Sequence, residues 1–190
     1  MTKNEIYTAI ALITFILISV LWKEELKNRS NITNLEFQVE LPVNPEINPD
    51  LSQADLRGAK LQKIDLGNSN LKGCKLQFSN FTGANLEGAN LTQAKLQETC
   101  LQSARMKNCN LSGAGMLECN LQYTDLENAN LEGAQFNEDS LFNQTNLKAA
   151  NLVLATGLSS TQLGQALTDK KTRLPDYLEE EMDDDFLLQF

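Results

Sequence analysis

One feature constrains this chain more than any other: a large apolar side chain returns at every fifth position. The series runs Leu56, Leu61, Leu66, Leu71, Leu76, Phe81, Leu86, Leu91, Leu96, Leu101, Met106, Leu111, Met116, Leu121, Leu126, Leu131, Phe136. On an α-helix, five residues advance about 500° and spread the leucines over every side. On a flat strand, they alternate between the two faces. The chain can bury them together only by bending once per repeat, which makes a solenoid.

A second position of the repeat is small. Two residues before each large apolar residue stands Ala, Ser, Thr or Cys, with Ile64 as the one exception. The residue between the two is polar in most repeats and is often Asn or Asp. This order predicts that the small and the large side chain point inward and that the polar one between them points outward.

The repeat Ala84-Asn85-Leu86-Glu87-Gly88, followed by Ala89-Asn90-Leu91, resembles the consensus A-(D/N)-L-x-x of the pentapeptide-repeat family. The resemblance covers about residues 51–154. It implies an all-β solenoid, a right-handed quadrilateral β-helix with four repeats per coil, in which residues twenty apart stack. We therefore expect Leu71, Leu91, Leu111 and Leu131 to form one inward column. We expect a second column of Leu56, Leu76, Leu96, Met116 and Phe136.

Residues twenty apart support this arrangement from the sequence itself. One series holds Asn70, Asn90, Asn110, Asn130 and, after a slip of one residue, Asn151. Stacked asparagines can hydrogen-bond from coil to coil. A neighbouring series holds Asp65, Asn85, Arg105 and Asp125, which predicts that Arg105 stacks against Asp125. The slip places one extra residue near Asn137–Asp139, either as a tolerated bulge at a corner or as a functional loop.

The four cysteines fit the repeat. Cys74, Cys109 and Cys119 occupy the small inward position, and Cys100 occupies the outward one. No pair has C-x-x-C spacing, so we expect no metal site. Cys119 lies about one coil above Cys100, but the inward and outward positions point in opposite directions, so we expect no disulfide.

Residues 1–29 form a predicted membrane anchor. The segment Ile6–Trp22 has no charged residue and would form an apolar helix with Tyr7 and Trp22 at its ends. A cleaved signal peptide is the alternative, although no small-x-small site follows the apolar run. The excess of Lys and Arg after Trp22 favours a single-pass protein with its repeat domain in the cytoplasm. A lumenal or periplasmic domain stays open.

Residues 30–50 are interpreted as a linker or an N-terminal cap, because Pro42, Pro45 and Pro49 break any helix. Leu35, Phe37, Val39 and Leu41 alternate with polar residues, as in a short strand.

Two segments follow the repeats. Residues 155–175 are predicted to form a C-terminal cap with a short helix, because Ser159 and Gln162 make a capping box. Leu163, Ala166 and Leu167 would share one face of that helix. Residues 176–190 form an acidic tail. Its apolar end, either a docking motif or a solvated terminus, holds Phe186, Leu187, Leu188 and Phe190.

Composition excludes several functions. The chain has no histidine, no glycine-rich phosphate loop and no pairing of a nucleophile with a base, so we expect no enzyme, cofactor, metal or small-molecule substrate. Residues 51–154 carry nine Lys and Arg against ten Asp and Glu. A nucleic-acid-binding rod would show a basic excess, so we expect no nucleic-acid partner.

The preferred hypothesis is a membrane-tethered interaction or scaffold module with an unknown protein partner. The alternative is a DNA mimic, because some pentapeptide-repeat proteins resemble B-DNA and bind DNA gyrase, a topoisomerase. A nearly neutral repeat region, a capped C-terminal end and a membrane anchor count against that alternative.

Charge is divided along the repeats. Residues 51–107 carry eight Lys and Arg against four Asp and Glu, whereas residues 108–154 carry Lys148 alone against six acids. Lys75 and Lys95 are twenty residues apart and should stack, which is repulsive unless an anion lies beside them. With Arg57 and the apolar end of the tail, they form the candidate interaction surface. Anionic lipid headgroups are the hypothetical ligand of the three cations, and a merely solvated surface is the alternative.

Overall fold

The computed structural model describes residues 50–179, in which the chain rises in coils of twenty residues. Each coil pairs with the next through isolated parallel β-bridges, one on each of four sides. A representative turn contains Asn70↔Asn90, Lys75↔Lys95, Asn80↔Cys100 and Asn85↔Arg105. The predicted stacking of residues twenty apart is therefore confirmed, and the solenoid has four faces.

A tight turn at the large apolar residue of each repeat produces the corners. After Leu86, the N–H of Ala89 donates to the Leu86 carbonyl at 3.0 Å, and the third turn residue, Gly88, has φ of 68°. A positive φ there, where glycine is least strained, characterises a type II turn. Phe78 and Tyr123 hold the same position with φ of 63° and 58°, and their side chains project into solvent from the corners.

The core consists of four inward columns of large apolar side chains. Both predicted columns are confirmed: their members are buried, except Leu56 in the first coil, which is half-buried. The small inward residues pack between them, and the polar ones bond to the backbone. Thr99 Oγ1 donates to the Leu76 carbonyl at 2.8 Å, and Cys119 Sγ donates to the Leu96 carbonyl at 2.8 Å. The buried hydroxyl groups are therefore satisfied by backbone carbonyls within the stack.

The register slips where the sequence predicts it. Below the slip, paired residues are twenty apart, as in Gly115↔Gln135; above it, they are twenty-one apart, as in Asn120↔Leu141. Ser140 resumes the small inward position and donates through Oγ to the Met116 carbonyl at 3.1 Å. The extra residue is thus absorbed at one corner without loss of the stack.

A short helix, α1 (Ser160–Gln165), interrupts the last coil. The predicted capping box is confirmed, since Ser159 and Gln162 bond reciprocally. Leu163 and Ala166 are buried, but the helix ends before Leu167, which pairs with Asn146 and is 41% exposed. Placing Leu167 on the apolar helical face was therefore wrong, because the chain returns to the sheet at that residue.

A second helix, α2 (Asp176–Glu179), follows Pro175 in the segment that the sequence assigned to the acidic tail. Leu178 is fully buried, and the Tyr177 hydroxyl accepts from the Leu158 N–H at 3.1 Å. The start of the tail therefore packs on the cap.

Within residues 50–179, the structure contains no helix long and apolar enough to cross a membrane. The predicted anchor at Ile6–Trp22 and the alternating segment at 35–41 lie outside the described residues, so both stay predictions.

Candidate interaction surface

The outward residue of each repeat builds a column on one face, and the four columns differ in chemistry. We name the faces by these columns, each read from the first coil upward. The asparagine face holds Asp50, Asn70, Asn90, Asn110, Asn130 and Asn151. The lysine face holds Asp55, Lys75, Lys95, Gly115, Gln135 and Thr156. The cysteine face holds Lys60, Asn80, Cys100, Asn120 and Leu141. The ion-pair face holds Asp65, Asn85, Arg105, Asp125 and Asn146.

The asparagine face confirms the predicted ladder. Asn90 Nδ2 donates to Asn70 Oδ1 at 3.4 Å, and Asn151 Nδ2 donates to Asn130 Oδ1 at 3.1 Å across the slip. The same oxygens accept a backbone N–H two residues later, as Asn130 does from Glu132 at 3.2 Å. The asparagines therefore stiffen both the stack and the turn that follows each of them.

The lysine face brings two predicted site residues together. Lys75 and Lys95 form a β-bridge, both are exposed, and within residues 50–179 neither is in an ion pair. The column above them is uncharged through Gly115, Gln135 and Thr156. Two stacked ammonium groups below an uncharged strip, with Asp55 beneath them already paired to Arg57, make this the part of the described surface best suited to an anion.

Arg57 lies at the base of the lysine face and is engaged locally. Its Nε and Nη2 donate to the two carboxylate oxygens of Asp55 at 2.8 and 2.6 Å. This bidentate hydrogen bonding holds the pKa of Asp55 below its ordinary value. Arg57 therefore belongs to the same face as Lys75 and Lys95 but is already matched to a carboxylate.

The opposite side of the coil, the ion-pair face, neutralises its own cations. Lys107 Nζ contacts Glu127 at 2.8 Å and Asp125 at 3.5 Å, and the hydrogen bond to Glu127 raises the pKa of Lys107. Arg105 forms a backbone bridge with Asp125 as predicted, but its guanidinium pairs with Glu87 at 3.0 Å. The predicted stacking of Arg105 on Asp125 is therefore confirmed, and it is Lys107 that contacts the Asp125 carboxylate.

The decisive comparison concerns the repeat itself. The profile of the family described as pentapeptide repeats matches in eight copies, over residues 50–88, 74–113 and 116–156. The chain belongs to the pentapeptide-repeat family. Its fold is accordingly the right-handed quadrilateral β-helix that the sequence motif implied.

Several solved pentapeptide-repeat proteins are similar. Rfr23 from the cyanobacterium Cyanothece 51142 is 24% identical, covers 63% of this chain over 90% of its own length, and has a TM-score of 0.47. A protein from the Arabidopsis thaliana thylakoid lumen is 31% identical over 61% of this chain and 72% of its own, with a TM-score of 0.29. QnrB1, a plasmid-mediated fluoroquinolone resistance protein, is 16% identical over 60% of this chain and 64% of its own, with a TM-score of 0.34. Among curated proteins, no significant match was found.

The thiols of this pentapeptide-repeat protein are packing groups. Burial raises the pKa of Cys74 to about 11 and the pKa values of Cys109 and Cys119 to about 12, so these thiols stay protonated near neutral pH. Cys100 is half-buried, and all four cysteines are free. Across residues 50–179, no cluster of acidic or cysteine side chains could hold a metal ion.

The surface also holds apolar residues that the sequence analysis did not single out. Phe78 is 61% exposed, Tyr123 56% and Leu154 67%, all at the corner position two residues after the buried one. The five-residue register could have found them, since that position faces outward in every repeat. The predicted tail residues Phe186, Leu187, Leu188 and Phe190 lie outside the described residues.

Proposed function

We propose that this pentapeptide-repeat protein is a non-enzymatic, membrane-tethered interaction module whose lysine face binds anionic headgroups. The observation that carries the proposal is the contrast between opposite faces. Arg105 and Lys107 are paired with neighbouring acids, whereas Lys75 and Lys95 stack on each other outside any ion pair of the described residues, and Asp55 below Lys75 is held by Arg57. Stacked like charges repel each other and lower the stability of the fold slightly. An external anion bound beside the two ammonium groups would offset that repulsion.

The interior supports a role in display and not in catalysis. Its inward positions are filled by Leu, Phe, Met and Ala, with hydroxyl and thiol groups bonded to backbone carbonyls. The carboxylates of residues 50–178 lie outside this core. A solenoid of this kind offers regular external columns, which suit extended surfaces and partner proteins.

The membrane part of the proposal rests on the uncharged segment Ile6–Trp22 and the cations that follow it. An uncleaved anchor predicts that intact-mass analysis of protein taken from membranes gives the whole chain. A mature start near residues 23–31 would instead identify a removed signal peptide.

The lysine face is tested with vesicles and a fragment covering residues 48–179, which lacks the anchor and residues 180–190 of the acidic tail. We expect it to sediment with vesicles containing anionic lipid, to bind less as salt rises, and not to bind neutral vesicles. Lys75→Gln with Lys95→Gln should abolish binding. The matched variant Lys107→Gln with Arg105→Gln removes two cations from the ion-pair face and should leave binding intact. Equal, negligible sedimentation with both vesicle types would reject the proposal.

The DNA-mimic alternative lacks a supporting observation on this surface. A protein that imitates DNA needs a continuous anionic surface, whereas the lysine face carries two stacked cations and the acids of the ion-pair face are interrupted by Arg105 and Lys107.

A further inference from the structure

The lysine face has a neutral approach from the top of the solenoid. Thr156 is its highest bridged residue, and Leu158 follows two positions later. The Tyr177 hydroxyl bonds to both the N–H and the carbonyl of Leu158, at 3.1 and 3.3 Å. Helix α2 is therefore held beside the upper end of the lysine face, and the acidic tail leaves the described structure there.

The column of the lysine face below this point carries no charge until Lys95. Gln135 and Gly115 separate Thr156 from Lys95 on the face itself. The corner that joins the lysine face to the asparagine face holds Gly133 and Gly113 at the same levels, and a Cβ at Gly133 would meet no atom within 4 Å. Glu98 and Glu118 lie on the other corner of the lysine face, across from this strip. Exposed Glu132 stands next to Gly133, so an acidic segment would descend along the column of Gln135 and Gly115 itself, between the carboxylates of the two corners.

The length of the tail matches the height of the lysines. Lys95 lies three coils below Thr156 and Lys75 four, which is ~14 and ~19 Å at ~4.8 Å per coil. An extended chain rises ~3.3 Å per residue, so Asp183 to Asp185 can reach ~13 to ~20 Å from Glu179. The residues that follow begin with Phe186. They would then arrive at the level of Phe78, the exposed aromatic at the lysine-face corner of the Lys75 coil.

We propose that the chain's own tail occupies the lysine face, with Asp183–Asp185 against Lys95 and Lys75 and with Phe186 against Phe78. Three successive carboxylates supply the anion that the stacked ammonium groups lack, and the aromatic contact covers an exposed ring. This inference rests on the lysine face being the anion-binding surface proposed above. It adds that the tail competes for that surface, so an external anion must displace the tail.

The test traps the docked tail as a disulfide in the full-length protein. Met182→Cys is combined with Gln135→Cys on the lysine face, or with the exposed Lys148→Cys on the ion-pair face at a similar height. In both pairs the tail residue that is replaced, Met182, is uncharged, so the carboxylates proposed to dock stay intact. We expect the lysine-face pair to close several-fold more than the ion-pair-face pair under mild oxidation. Adding Lys75→Gln and Lys95→Gln should bring the two yields to the same level. The single variant Met182→Cys controls for trapping by the half-buried Cys100.

Three results would overturn the inference. The first is an equal disulfide yield for the two pairs, and the second is a lysine-face yield that does not change when both lysines are replaced. The third is the formation of cross-linked dimers in place of the intramolecular disulfide. Dimers would mean that the tail binds a second copy. The vesicle experiment uses a fragment without the tail, so its failure rejects lipid binding alone, whereas failure of the disulfide test rejects tail docking alone.

Discussion

The two ends of the solenoid differ in how they replace a missing neighbour. In the first coil, Lys60 and Asp65 offer backbone N–H and carbonyl groups that find no partner within residues 50–179. Leu56 and Ile64 are only half-buried there. At the last coil, Gln162 donates through Nε2 to the Asn137 and Ser140 carbonyls, both at 2.8 Å. The described chain therefore closes its upper end and leaves its lower end open.

The comparison shows where a repeat protein needs sequence that is not repeated. The two coils above and below an interior coil supply its hydrogen-bond partners and cover its side chains. Repeated five-residue units are therefore sufficient to build the interior of the solenoid. The upper end has no further coil, and single side chains must take over both tasks. Gln162 satisfies carbonyls of the slipped turn, Tyr177 bonds to Leu158, and Leu178 fills the end of the core. These residues cannot be exchanged among repeats as interior residues can.

The largest expected effect separates an interior coil from the open end. Leu96 is 1% exposed, and Leu96→Asp should abolish cooperative unfolding, because an unpaired carboxylate in the core costs a large part of the ~5–15 kcal/mol that stabilises a domain. The same change at Leu56, in the same column but half-buried, should leave a folded protein with a lower melting temperature. Thermal unfolding followed by circular dichroism measures both. Equal loss of structure in the two variants would mean that the lower end is as well covered as the interior.

The next effect isolates backbone crowding at the upper end. Gly157 has φ of 75°, and an added Cβ would collide with the Phe136 carbonyl oxygen. We expect Gly157→Ala to cost about 3 kcal/mol or more. Gly133 has φ of 66° in open space, so Gly133→Ala should cost only the left-handed strain of about 1 kcal/mol. Urea unfolding of the two variants compares them directly. A difference near zero would show that the cap moves away from Phe136 easily.

The smallest effect concerns one amide in the cap. Gln162→Glu keeps the acceptor of the capping box but removes both N–H donors to the Asn137 and Ser140 carbonyls. We expect a loss of about 1–3 kcal/mol in the free energy of unfolding, since two buried acceptors lose their partner. Gln165→Glu, on the exposed side of α1, provides the control and should be nearly neutral. If both changes are equally mild, the cap does not depend on Gln162, and the contrast between the two ends disappears.

The sequence by itself determined the repeat, the four inward columns, the asparagine ladder, the place of the slip and the capping box of α1. Each of these depends on residues at fixed spacing, so a local rule repeated along the chain is enough to derive it. The anchor and the apolar end of the tail are also sequence inferences, and they lie outside the described residues. The exposed corner residues Phe78 and Tyr123 were readable from the same register, although the register alone does not say how far they project.

Only the tertiary structure decided which charges neutralise each other and how the ends are closed. The guanidinium of Arg105 pairs with Glu87 and not with Asp125, because long side chains extend across the face as well as along the stack. Lys107 contacts the Asp125 carboxylate instead. Leu167 left its predicted helical face because a β-bridge to Asn146 was available. Helix α2 formed in a segment of acidic composition because Leu178 could be buried on the cap. These outcomes depend on contacts between residues at no fixed spacing, and such contacts exist only once the coils are stacked.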